Sequence, residues 1–123
     1  MIVGVGVDIA ELDRIAKSYA RFGAKFSAKI LNQSELVRLP ANVIPFLASR
    51  FAAKEAAVKA LGTGFSGGIT FQDIAVASDP LGKPIIVFHN MALQRCRELH
   101  VCHAHISLSH SRENAVAMVI LEA

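Results

Sequence analysis

The segment RFAAKEAAVKALGTG, residues 50–64, concentrates charge in an alanine frame. Arg50 and Lys54 stand four residues apart, as do Glu55 and Lys59, the spacing at which side chains of one helix meet. Three cations and one acid suit a polyphosphate with a metal. A hard cation such as Mg2+ takes carboxylate oxygens and shares its other positions with phosphate and water. A solvated helix face with one stabilising Glu–Lys pair has the same spacing. Asp8 supplies the second carboxylate that the metal reading needs, since it closes an otherwise apolar run. A plain cap for the following helix is the alternative role for Asp8.

Two further groups bear on chemistry. His103, His105, Ser107, Ser109 and Ser111 alternate and so share one face of a strand, with His110 on the other. Imidazoles and hydroxyls in that row suit phosphate and ribose, or an ordinary polar surface. Zinc is disfavoured because Cys102 points away from the two imidazoles. A serine nucleophile lacks its G-x-S-x-G turn. Arg14, Lys17, Arg21, Lys25 and Lys29 form a basic stripe with no acid between its ends. Such a stripe is either a solvated face or a dock for an acidic protein. Nucleic acid fits less well, because no exposed aromatics or known motif join the stripe.

These residues need elements to hold them. Residues 2–9 read as a buried strand, with Gly4 and Gly6 on one face where another backbone comes close. Residues 11–31 read as helical, with Ile15, Tyr19, Phe22, Phe26 and Ile30 as the apolar stripe and Gly23 as a point of division. Residues 39–45 are a loop. Pro45 lies in the first turn of a second helix that runs to Leu61, with Gly62 and Gly64 as its C-terminal caps. Residues 69–77 and 85–88 read as a hairpin, 91–100 as a helix, and 104–110 and 114–122 as strands. The continuous apolar character of 114–122 predicts burial on both faces, the second against another subunit. The fold class is α+β, an antiparallel sheet packed against helices.

At 123 residues the chain predicts one domain, residues 1–123. Its 53% apolar content excludes disorder and exceeds what one small core comfortably hides, which again suggests a subunit interface. The longest run of Ala, Val, Ile, Leu, Met and Phe, Ala115 to Leu121, is far short of a bilayer span. A net charge of +3 is too small to imply nucleic acid but allows a local basic patch. The N-terminus does not read as a secretory signal, and Cys96 and Cys102 are the only thiols, so a reducing cytoplasmic setting is expected.

GVDIAELDRI at 6–15, RFAAKEAAVKALGTG at 50–64, FQDIAV and DPLGKP within 71–84, and HISLSHS at 105–111 occur in a familiar order. Together they resemble holo-acyl-carrier-protein synthase, the small type of 4′-phosphopantetheinyl transferase. The signatures V-D-I-x-x-x-x-R and F-x-x-K-E-x-x-x-K are specific as a pair. The resemblance implies transfer of 4′-phosphopantetheine from coenzyme A to a serine of an acidic apo-acyl-carrier protein, in support of fatty-acid biosynthesis. It implies Mg2+ held by Asp8 and Glu55, and Lys59 on the phosphates. Further coenzyme contacts are expected from Arg50, Lys54, Gly62, Thr63, Gly64, His105, Ser107 and Ser109. The base is expected to be Glu55, directly or by orienting a metal-bound water. The resemblance implies that the carrier docks on Arg14, and the spacing extends that expected face to Lys17, Arg21 and Lys25, with Phe22 and Phe26 as apolar neighbours. The family's small type is a trimer with active sites between subunits. A metal-dependent nucleotide phosphohydrolase using the same carboxylates is the alternative.

Overall fold

The computed structural model describes residues 1–123. The chain runs β1 (Ile2–Glu11), α1 (Leu12–Phe22), α2 (Ala24–Ile30), α3 (Gln33–Leu36), α4 (Val43–Leu61), β2 (Ile74–Ser78), β3 (Pro84–Phe88), α5 (Asn90–Glu98), β4 (His103–His110) and β5 (Asn114–Glu122). β1, β5 and β4 form an antiparallel sheet in that order, and β2 pairs with β3 in a separate hairpin. The α+β expectation holds.

The long helix α4 lies against the sheet because both partners lack bulk. Ala52, Ala53, Ala56, Ala57 and Ala60 are buried, and β5 turns Ala115, Ala117, Val119 and Leu121 to the same core. On β1 the facing positions are glycines. A Cβ on Gly4 would lie 2.1 Å from Ala60 O, and one on Gly6 1.9 Å from Ala56 O. No side chain fits there, so the two glycines set how closely strand and helix approach. Asp8 is next on that face, which turns its carboxylate toward α4.

Gly23, at φ 56°, divides the first helical stretch into α1 and α2. Gly62, at φ 76°, ends α4 in the left-handed conformation. The predicted strand at 69 begins only at Ile74. Thr70 N donates to Asp73 Oδ2 at 2.9 Å, closing a 3-10 turn over Phe71–Asp73 that the extended reading of these residues overlooked. α3 was not anticipated. It is one turn held by a capping box, with Asn32 N donating to Glu35 Oε1 (2.9 Å) and Glu35 N to Asn32 Oδ1 (3.2 Å).

β5 buries one face, Ala115, Ala117, Val119 and Leu121, in the chain's own core. Within the single chain its outer face is open: Met118 is 44% exposed, beside Val5, Val7 and Ile9 of β1, each at least half exposed. Ser111 lies beyond β4, in the β4–β5 turn, where its hydroxyl accepts from Asn114 N.

Candidate active site

Asp8, Glu55 and Lys59 come together where β1 faces α4; the strand does not end at Asp8 but runs on to Glu11. Lys59 Nζ donates to Asp8 Oδ1 at 2.9 Å and to Val7 O at 3.1 Å. Asp8 is the sheltered partner, 16% exposed, while Lys59 is half exposed. The Glu55 carboxyl stands above the usual carboxylate range. Burial is the larger cause, the negative charge of Asp8 the next, and Lys59 opposes both. Two mutually repelling carboxylates and one cation therefore share the site.

The turn after α4 contributes surface rather than donors. Gly62 N bonds Lys59 O, while Thr63 N and Gly64 N both bond Val58 O. The Thr63 hydroxyl donates to Gly64 O at 2.9 Å. All three backbone N–H groups are thus satisfied within the helix end, so the expected coenzyme contacts of Gly62, Thr63 and Gly64 cannot use them as a phosphate cradle in this conformation. A Cβ at Gly64 would meet nothing within 4 Å, so what the turn offers is access.

Arg50 and Lys54 face another way. Lys54 is fully buried, its Nζ 2.5 Å from Glu35 Oε1 and 2.7 Å from Ile30 O. Burial pulls its ammonium below the usual lysine range, against the attraction of Glu35. The expected coenzyme contact by Lys54 is therefore corrected: its charge is spent inside the core. Glu35 also receives Val76 N at 3.0 Å, so its carboxylate ties α3 to α4 and β2, while Lys54 adds α2 through Ile30 O. Arg50 stacks on Phe46, 4.1 Å from the ring centroid, and its buried Nε has no partner. It lines a cavity of about 190 Å3 with Ser34, Glu35, Arg38 and Ser78, and neither Asp8 nor Glu55 is among the lining residues.

His105, Ser107 and Ser109 are exposed on the outer face of β4, as the alternation predicted. That face is opposite the one carrying Asp8, since β4 turns Ala104, Ile106 and Leu108 to the core. Within one chain they do not reach Glu55. His105 Nε2 instead pairs with Glu122 of β5, and that hydrogen bond holds the Glu122 carboxyl below its usual range.

On α1 and α2, Arg14, Lys17, Arg21 and Lys25 are exposed. Lys17 pairs with Asp13 at 3.2 Å, and Arg21 lies over the half-exposed Phe22 ring at 5.0 Å. Phe26 leans on the core and joins two grooves. One, about 310 Å3, is lined by Ile9, Arg14, Ser18 and Phe51; the other, about 360 Å3, by Phe22, Lys25 and Lys29. Phe51, the first residue of the F-x-x-K-E-x-x-x-K signature, was given no role in the sequence reading. It precedes Glu55 by four residues and links the basic face to the carboxylate end of α4.

This fold, with an acidic pair and a lysine at the strand–helix junction and a basic first helix, defines a class. The chain belongs to the 4′-phosphopantetheinyl transferase superfamily, whose family model matches residues 4–119. It is an enzyme of that class, and the kinship with holo-[acyl-carrier-protein] synthases holds over its whole length. It is 56% identical to the holo-[acyl-carrier-protein] synthase of Nitratidesulfovibrio vulgaris Hildenborough, covering 100% of both chains. It superposes with a TM-score of 0.92 on the crystal structure of the Neisseria meningitidis synthase, at 36% identity and 100% coverage of both. A Bacillus anthracis synthase solved in complex with CoA (3′,5′-ADP) is 41% identical, with a TM-score of 0.83, over 100% of this chain and 98% of that one.

Proposed function

We propose that the protein transfers 4′-phosphopantetheine from coenzyme A to a serine hydroxyl of an apo-acyl-carrier protein in fatty-acid biosynthesis, in the cytoplasm, releasing adenosine 3′,5′-bisphosphate. The observation that carries this reading is the convergence of Asp8, Glu55 and Lys59. The Bacillus anthracis relative with bound CoA supports the donor.

The donor set fits Mg2+. No cluster of three His, Cys, Asp or Glu side chains exists, so Asp8 and Glu55 would leave most coordination positions to phosphate and water oxygens, the pattern of a magnesium site. Held by Asp8 and Glu55, the metal would supply positive charge against the pyrophosphate, whose P–O bond to the adenosine 3′,5′-bisphosphate leaving group breaks. Lys59, half exposed, reaches the same phosphates. The serine Oγ–P bond forms, and the serine proton passes to a base. Glu55 suits that role, since burial and Asp8 raise its proton affinity.

Two surfaces complete the reading. Arg14, Lys17, Arg21 and Lys25 attract the acidic carrier, and Phe22 and Phe26 give it apolar contact. The open face of Val5, Val7, Ile9 and Met118 packs copies of the chain into a trimer. Since His105, Ser107 and Ser109 lie on that same side of the sheet, they serve a neighbouring copy's coenzyme rather than their own.

Intact mass of an apo-carrier after incubation with the protein, coenzyme A and Mg2+, beside an EDTA control, tests the reaction. A metal-dependent gain of about 340 Da, one phosphopantetheine added as a phosphodiester, is expected. No gain, with coenzyme A broken down in the same tube, would overturn it.

A further inference from the structure

Asp8 already has a partner. Lys59 Nζ is held by two acceptors of one strand, Asp8 Oδ1 and Val7 O. The two side chains differ in freedom. Asp8 is sheltered and its strand is fixed between α4 and β5, whereas Lys59 is half exposed on a flexible stem. The ammonium can leave, and the carboxylate cannot follow.

A divalent cation approaching Asp8 must therefore displace Lys59. Two carboxylates without a third protein ligand already make a weak site for a hard cation, and an ammonium seated on one of them weakens it further. A pyrophosphate changes both terms. It offers the ammonium more negative charge than Asp8 does, and it brings oxygens that complete the cation's coordination.

We propose that Lys59 is a placeholder that couples metal loading to coenzyme binding: it occupies Asp8 until the donor's phosphates draw it away, so that the divalent cation enters with the coenzyme and not before. The proposal rests on Asp8 and Glu55 being the metal ligands. It makes the two ligands mutually dependent, each tightening the other by one factor.

Mn2+ is the probe, because free Mn2+ gives an electron paramagnetic resonance signal that fades on binding. The protein is titrated with and without coenzyme A and with no carrier, so that nothing turns over. The wild type is expected to bind Mn2+ weakly alone and more tightly with coenzyme A. Lys59→Met, at an exposed position, should bind Mn2+ alone roughly tenfold more tightly than the wild type and lose most of the coenzyme's enhancement. Lys59→Arg, which keeps the charge, should stay weak alone. Mn2+ binding to Lys59→Met that is no tighter than to the wild type would overturn the placeholder role. Asp8→Asn tests the underlying reading separately. It should bind Mn2+ poorly in every condition, and wild-type binding by this variant would overturn the carboxylate site itself.

Discussion

Glu35 Oε1 receives Lys54 Nζ at 2.5 Å inside a core that hides both side chains. The neighbouring residue of the same helix, Glu55, faces the candidate site. The K-E pair of the motif thus divides, the lysine fastening α4 to the rest of the molecule and the glutamate facing Asp8 and Lys59. Breaking a buried pair by removing one partner leaves an uncompensated charge. Lys54→Met should lower unfolding free energy by about 3–5 kcal/mol in a denaturant titration. Unchanged stability would show that the pair holds nothing.

Glu55 is expected to behave oppositely. Its carboxyl is raised by burial and by Asp8, so the folded chain binds that proton more readily than the unfolded chain does. Stability contributed at this position is then greatest at low pH and is lost as pH rises through the interval between the unfolded and the raised folded value. Above that interval Glu55→Gln should be at least as stable as the wild type, and below it the two should melt alike. Transfer activity should be lost at every pH. A variant that melts below the wild type at neutral pH would contradict the sign.

Much of this was legible in the residues. Gly4 and Gly6 announced a close backbone approach, and Gly23 the division of the first helix. The motifs joined Asp8 to Glu55 across more than a third of the chain length. The rest was hidden for physical reasons. Helical spacing groups Arg50 with Lys54 but does not say which face meets solvent, and the fate of Lys54 depends on Glu35, a residue distant in sequence. Alternation placed His105, Ser107 and Ser109 together but could not say that their face lies opposite Asp8. Only the capping boxes were readable and unread, Asn32 with Glu35 and Thr70 with Asp73, each a cap followed by an acid three residues later.

Arg14 begins the basic face and lines the groove that contains Phe51. Its charge stands in solvent, so it should act on encounter with the carrier more than on the chemistry. Arg14→Ala should raise the KM for the carrier roughly fivefold and leave that for coenzyme A nearly unchanged. The difference should shrink as salt is added. Equal changes in both KM values would remove Arg14 from the docking face.

Val5 sits in the open apolar face of the sheet, 57% exposed in the single chain. A charge there cannot be buried between copies without a partner. Light scattering should find the wild type as a trimer and Val5→Glu as a monomer, with the helical content of the two alike by circular dichroism and transfer activity lost only in the variant. A wild-type monomer with full activity would exclude a shared site.

β5 is the middle strand of its sheet and the last to emerge in the chain. Ile2 pairs with Glu122, and His110 with Ala115. Neither β1 nor β4 has another strand to bond, so during synthesis the first strand waits, apolar and unpaired, while every later element is made. Contacts between such distant segments form slowly, because the loop between them must close before they gain anything. Helix α4 can form early from its own alanines. Asp8 therefore sits on a strand whose one hydrogen-bonded neighbour is made after α4, so the pairing that fixes the strand forms across almost the whole chain.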